Sequence, residues 1–139
     1  EGDYSLPLGK AEVVREGKDL TLVGWGAQME ILEQAADAAA EIDIECELID
    51  LRSILPWDRD TVAKSVIKTG RLVINHEAPL TSGFGAEIAA AIQQSCFLYL
   101  ESPILRVTGL DTPYPLALEK EYSANALKTL DAIKQSMQF

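Results

Sequence analysis

An α/β domain with a mainly parallel sheet between two helical layers is the fold class this sequence predicts, on three observations. Short apolar runs alternate with stretches of helical periodicity from one end of the chain to the other. The run from Leu20 to Trp25 is apolar almost throughout, as a strand covered on both faces is. A length of 139 residues, 47% of them hydrophobic, is enough for one core and leaves no room for a second domain.

Residues 4–9 carry turn residues and little periodicity, which suits an extended linker over residues 1–10 leading into a domain over residues 11–139. Residues 11–15 are a short strand candidate. Residues 16–19 read as a hairpin-like turn, so an antiparallel edge strand is expected. After the apolar run, Met29, Leu32, Ala36 and Ala39 recur at helical spacing with acids between them, predicting an amphipathic helix over residues 27–42. A second sheet strand follows over residues 44–50.

Asp58 is placed to accept a free backbone N–H at the start of a helix through Val62, Val66 and Ile67, and Gly70 supplies its stop. A third strand covers residues 71–75, with His76-Glu77-Ala78-Pro79 as a polar turn behind it. A helix from near Ala86 to Cys96, a last strand over 103–108, a proline-stiffened loop over 111–115 and a C-terminal helix over 124–137 complete the chain. The C-terminal helix is read as amphipathic through Leu127, Leu130, Ile133 and Met137.

Twenty-two acidic side chains against 12 basic ones give a net charge of −10, a field that repels nucleic-acid phosphates and anionic lipid and favours a basic partner. No apolar run approaches the ~20 residues needed to cross a bilayer. Glu1-Gly2-Asp3-Tyr4 lacks the pattern of a secretory signal, so a soluble protein is expected, and the opening Glu1 suggests part of a longer chain. Cys46 and Cys96 both lie in apolar contexts and are read as core residues in a reducing compartment.

Gly24-Trp25-Gly26 lies between a strand and a helix, and Asp50 closes the next strand, as in a dinucleotide-binding unit. Met29 stands where that motif needs a small residue, so tight-turn geometry is the preferred reading. His76 is the sole histidine and sits at a strand's carboxyl end. With no second histidine and no nearby cysteine, zinc is disfavoured. General acid–base work stays open, but a histidine held by neighbouring carboxylates and backbone at a subunit contact is preferred. Gly83-Phe84-Gly85 either presents N–H groups to an anion or simply lets the chain turn, and the turn is ranked higher. At the C-terminal end, Glu101 follows the apolar Phe97-Leu98-Tyr99-Leu100, and Phe139 adds an aromatic ring and, if the native end lies there, a carboxylate.

Five strings then occur in order: Leu22-Val23-Gly24-Trp25-Gly26-Ala27-Gln28, Ile49-Asp50-Leu51-Arg52 leading to Pro56-Trp57-Asp58, Ser65 to Leu72, His76-Glu77-Ala78-Pro79 with Gly83 to Ile88, and Asp111-Thr112-Pro113-Tyr114-Pro115. Together they resemble the C-terminal domain of the β subunits of branched-chain 2-oxoacid dehydrogenases, over nearly the whole chain. Ser82 stands where that family commonly has glycine, and Lys120-Glu121 with Ala124 replaces a more apolar, proline-bearing approach to the last helix.

The resemblance implies a transketolase C-terminal-domain-like fold, a five-stranded mixed sheet with one antiparallel edge strand inside an α/β/α sandwich. It implies a part in an enzyme that decarboxylates branched-chain 2-oxoacids and acylates lipoyl groups, with sister enzymes acting on pyruvate or acetoin sharing the domain. Thiamine diphosphate and magnesium would be held elsewhere in the assembly, so no residue here is carried over as catalytic, cofactor-binding or metal-binding. The implied partners are an α subunit, a second β subunit and the basic peripheral-subunit-binding domain of the lipoyl acyltransferase, without nucleic acid or membrane. Glu101 and the Phe139 carboxylate map onto the docking contacts, and His76, Glu77, Pro79, Gly83 and Phe84 are expected at a subunit interface. The location implied is the mitochondrial matrix in a eukaryote and the cytoplasm in a bacterium. A stand-alone α/β domain that binds a small anion or nucleotide is the rival reading.

Overall fold

The structure, a computed structural model, describes residues 5–139; the expectations for Glu1-Gly2-Asp3-Tyr4 lie outside the described residues. The chain runs β1 (Glu12–Arg15), β2 (Leu20–Gly24), α1 (Gln28–Ala40), β3 (Cys46–Asp50), α2 (Arg59–Thr69), β4 (Leu72–Pro79), α3 (Gly85–Cys96), β5 (Leu105–Gly109), α4 (Glu119–Tyr122) and α5 (Ala126–Ser136). Its sheet has the order β1-β3-β2-β4-β5. Only the β1–β3 pair is antiparallel. The fold class expected from sequence is therefore the one found, including its single antiparallel edge.

Alternation along the strands builds two cores, one on each face. Leu20, Leu22, Cys46, Leu48 and Val73 point to one side, where Leu32, Ala35, Ala36 and Ala39 of α1 and Ile133 of α5 cover them. Val23, Ile49, Leu72 and Ile74 point to the other, under Val62 and Val66 of α2 and Ile88 and Ile92 of α3. Each such leucine or isoleucine is fully buried, worth about 1.5–3 kcal/mol apiece. Cys46 and Cys96 lie in the opposite cores and are both free and buried, so the sheet separates them. Burial pushes the Cys46 thiol up to about 12, with Arg15 pulling weakly the other way.

The helix boundaries follow local chemistry. Asp58 Oδ1 accepts from the Thr61 N–H at 3.2 Å, and its Oδ2 accepts from the Ala11 N–H at 3.2 Å, so one carboxylate caps α2 and secures the entry to β1. Burial works to raise this carboxyl, yet those bonds together hold it below the usual carboxylate range. Gly70 ends α2 at φ +71°, a left-handed conformation that side-chain-bearing residues rarely adopt. Asn125 accepts from the Lys128 N–H at 2.9 Å and opens α5.

Three expectations need correction. The 16–19 segment does not form a hairpin, because β3 lies between β1 and β2. Instead it crosses the end of β3, where the Lys18 and Asp19 N–H groups both donate to the Glu45 carbonyl at 3.1 and 3.0 Å. His76–Pro79 is not a turn but the continuation of β4, whose ladder with β5 is irregular between Asn75 and Pro79 and resumes at Pro79–Gly109. Finally, Leu127 is 68% exposed; the buried stripe of α5 is Thr129, Ile133 and Ser136, and the Thr129 hydroxyl accepts from Asn75 Nδ2 at 2.8 Å.

Candidate functional site

Two places bring the candidate residues together. The first is the carboxyl end of β4. His76 is buried there, with its ring stacked on Trp25 at 5.6 Å and 22°. Trp25 meets Phe84 edge-on at 6.1 Å, and Phe84 meets Trp57 edge-on at 6.4 Å. The two glycines of Gly83-Phe84-Gly85 make room for the imidazole: a β-carbon at Gly83 would lie 2.5 Å from His76 Cε1, and one at Gly85 would lie 2.5 Å from Nε2. The turn reading of this segment thus has a specific cause.

Neither His76 nitrogen meets hydrogen-bond geometry with a partner among the described residues. Burial holds the imidazole below its ordinary pKa; the nearby Ala78 backbone pulls it back up only in part, and Arg106 pushes it down further. No carboxylate among the described residues hydrogen-bonds to it, and the neighbouring Glu77 is the next residue on a strand and is exposed on the other side. Burial among aromatic rings and glycines therefore favours the neutral imidazole of His76. Pro79 is half-buried at the end of the β4–β5 ladder.

Gly24 is likewise committed to packing, since a β-carbon there would lie 2.4 Å from Leu32 Cδ1 of α1. No group of three or more His, Cys, Asp or Glu side chains placed to hold a metal occurs among the described residues. No helix among them is long and apolar enough to cross a membrane.

The second place lies where α2 ends, α3 ends and α5 terminates. The Glu101 N–H donates to the Gly70 carbonyl at 2.8 Å, which brings the residue to the start of β4. Its carboxylate accepts from Arg71 Nη1 at 2.6 Å, while Arg71 Nε donates to the Ser136 carbonyl at 3.2 Å near the end of α5. Ser102 and Ser136 hydroxyls share a buried hydrogen bond of 2.7 Å beside them. Glu101 and Phe139 thereby border one cavity of about 300 Å³, together with Phe97, Leu100 and Pro103.

Sequence reasoning named Glu101 and Phe139 for this place but missed Arg71, which ties Glu101 to the Ser136 carbonyl near the end of α5. It also missed that Phe97, Leu98 and Tyr99 are 63%, 90% and 51% exposed in a short 3-10 turn. The signal available for that turn was an apolar run directly after a finished helix, which reads equally well as core.

Order β1-β3-β2-β4-β5, with helices on both faces and one reversed edge, defines an open three-layer α/β/α domain. Residues 9–128 match the family model described as "Transketolase, C-terminal domain", and the chain belongs to that family. It is 60% identical over 137 residues, 98% of this chain and 37% of the relative, to "2-oxoisovalerate dehydrogenase subunit beta, mitochondrial" of Dictyostelium discoideum. It is 58% identical over 139 residues, 100% of this chain and 39% of the relative, to "2-oxoisovalerate dehydrogenase subunit beta 2, mitochondrial" of Arabidopsis thaliana. The solved "Split gene transketolase, inactive beta4 tetramer" superposes with a TM-score of 0.86 at 25% identity, over 98% of this chain and 44% of that one. The chain spans about two fifths of the length of these curated relatives, at 37% and 39%.

Proposed function

We propose that this chain is the C-terminal assembly and docking domain of the β subunit of a branched-chain 2-oxoacid dehydrogenase. The full enzyme would decarboxylate branched-chain 2-oxoacids oxidatively and pass the acyl group to a lipoyl carrier. The observation that carries the docking role is the meeting of Glu101 and Phe139 at one cavity edged by exposed aromatic and aliphatic side chains. An exposed carboxylate, Glu101, beside an apolar patch suits the basic peripheral-subunit-binding domain of the acyltransferase, and the net charge of −10 favours that encounter. Residues 1–10 would link this domain to the preceding part of the subunit. His76, Glu77, Pro79, Gly83 and Phe84 would lie against the α subunit or the second β subunit, and the location would be the mitochondrial matrix in a eukaryote or the cytoplasm in a bacterium.

Thiamine diphosphate and magnesium serve the decarboxylation in this reading, and the glycine segments of this chain do not suit them. A diphosphate cradle needs backbone free to approach phosphate, whereas Gly24 is pressed on Leu32 and Gly83 and Gly85 on His76. The cofactor would thus be held by other parts of the assembly.

Calorimetric titration of the assembled enzyme with the peripheral-subunit-binding domain, at low and moderate salt, tests the proposal. Glu101→Ala uncovers the Arg71 guanidinium as well as removing an acid, so it is expected to weaken docking about tenfold or more, roughly 1.4 kcal/mol. Deleting Phe139 is expected to weaken it too, and added salt to weaken all variants. Docking that is indifferent to both changes would overturn the assignment.

A further inference from the structure

Two short segments of this chain carry no charge and adjoin each other. Ser5-Leu6-Pro7-Leu8-Gly9 leads toward β1, and Ser53-Ile54-Leu55-Pro56-Trp57 lies between β3 and α2, whereas 24% of the residues in the whole chain are charged. The Gly9 N–H donates to Ser53 Oγ at 3.0 Å, and a β-carbon at Gly9 would lie 3.0 Å from Pro56 Cγ, so the two segments touch. Leu8 is 87% exposed and Leu55 is 89% exposed, and Leu6 and Ile54 are exposed as well.

An exposed leucine standing singly is ordinary on a protein surface. These four are grouped, and their backbones are held. Asp50 Oδ1 accepts from the Arg52 N–H at 3.0 Å just before the second segment, and the Asp58 carboxylate just after it accepts from the Ala11 and Thr61 N–H groups. An apolar surface already fixed in place loses little conformational entropy when a neighbour covers it. A charge-free patch on a chain of net charge −10 fits an apolar neighbour, unlike the basic one proposed at Glu101. The second segment follows the carboxyl end of β3 while Glu101 precedes β5, so the two surfaces lie at opposite ends of the parallel strands.

Size and connectivity narrow the choice of neighbour. Four aliphatic side chains fall short of the about 20–30 residues a side that a stable contact between separate proteins takes. A domain tethered through one of these two segments needs less, because the tether presents it at an effective concentration on the order of mM. This chain spans 37% and 39% of two longer curated relatives, and the family model that it matches is a C-terminal domain. We propose that Leu6, Leu8, Ile54 and Leu55 form the seat on which the preceding domain of the same polypeptide packs. This placement rests on reading the chain as the C-terminal part of a longer β subunit, and it adds where the two parts meet. None of the four residues belongs to the subunit contact proposed around His76.

The test puts the photo-cross-linker p-benzoylphenylalanine at Leu8 and, separately, at Leu55 of the full-length subunit in the assembled enzyme. After irradiation, peptide mass spectrometry is expected to find links from both positions to sequence preceding residue 1, and denaturing electrophoresis no band heavier than one chain. Leu55→Cys, a smaller change, should react with a maleimide about tenfold or more slowly in the native enzyme than in urea, read at residue 55 by mass spectrometry. A linked band at the mass of two chains would give the surface to another subunit and overturn the proposal, while leaving the β-subunit reading intact. Links confined to residues 1–139, no links at all, or equal labelling of Leu55→Cys in the native and unfolded enzyme would overturn it too. Failure of the unsubstituted full-length chain to support decarboxylation with its α subunit would instead overturn the reading on which the seat rests.

Discussion

A β-carbon at Gly85 would stand 2.5 Å from His76 Nε2, so this glycine and this histidine divide one volume between them. Only one of the two positions can carry a larger side chain without displacing α3 from β4. Gly85→Ala alone is expected to destabilise the fold by about 1–3 kcal/mol, the usual cost of overpacking. His76→Ala removes the clashing ring, so the double variant should be more stable than the sum of the single changes by about 1–2 kcal/mol. Urea unfolding of the four proteins gives the coupling directly. Additive losses would mean that the helix shifts freely and that the glycine is not fitted to the imidazole.

The same burial makes stability depend on pH. In the folded chain His76 binds its proton below the ordinary value of 6.5, chiefly because charging it would strip hydration from a cation. The unfolded chain therefore takes up a proton first as the pH falls, and folding stability declines below about pH 6.5 until the folded state is protonated too. The slope attributable to His76 cannot exceed one proton, about 1.4 kcal/mol per pH unit. Since His76 is the sole histidine, His76→Gln should flatten the urea midpoint between about pH 5 and 7 while leaving the acid limb due to carboxylates. An unchanged profile would mean that the imidazole is not held neutral.

Much of this architecture is legible in the sequence because its signals are local. The unbroken apolar run of β2, the 3.6-residue periodicity of α1, the Asp58 cap and the Gly70 stop are each written within a dozen residues. What was misread depends on distant partners. Nothing between Arg15 and Leu20 says that β3 will insert between β1 and β2, since that order is set by how α1 returns the chain. His76 and Glu77 look polar enough for a turn, and become strand only because β5 pairs alongside and two later glycines accept the ring. The stripe of α5 misled because its buried positions are Thr129 and Ser136, whose hydroxyls find partners on β4 and beside β5 rather than apolar contact. Glu101 and Phe139 follow from the resemblance, whereas the Arg71 link from Glu101 to Ser136 emerges only from the fold. Ser82, where the resemblance leads to an expectation of glycine, adopts φ +62°, a conformation that glycine enters without strain.

Lys68 and Glu47 offer a separate measure of the second core. Glu47 is 3% exposed and its carboxylate contacts Lys68 Nζ, with the Gly17 N–H donating at 3.4 Å. Burial by itself would raise this carboxyl, but the Lys68 ammonium, Ser65 and the Gly17 N–H together hold it below the usual range. Lys68→Met removes the cation and strands a buried charge, so a loss of about 3 kcal/mol is expected. Adding Glu47→Gln removes the stranded charge and should recover a good part of that loss in the same denaturation series. A loss below about 1 kcal/mol for Lys68→Met would place the pair energetically at the surface instead.

Arg71 separates the structural role of the Glu101 region from the docking role proposed for it. Its side chain is only 15% exposed and joins two elements, donating to the Glu101 carboxylate and to the Ser136 carbonyl at the end of α5. Glu101 is 61% exposed, so losing its charge alone changes little in folding. Glu101→Gln is therefore expected to cost under about 1 kcal/mol of stability. Arg71→Met should cost about 1–2 kcal/mol, because it leaves the carbonyl of buried Ser136 without its donor and releases the end of α5. The two variants should then diverge in recognition: Glu101→Gln weakens a basic partner by losing charge, mainly through association rate and with strong salt dependence. Arg71→Met leaves the acid in place but unbraced, so dissociation quickens while the salt dependence persists. Stopped-flow association and dissociation rates at two ionic strengths distinguish these outcomes, and identical kinetic signatures for both variants would mean that Arg71 matters only as the counter-charge of Glu101.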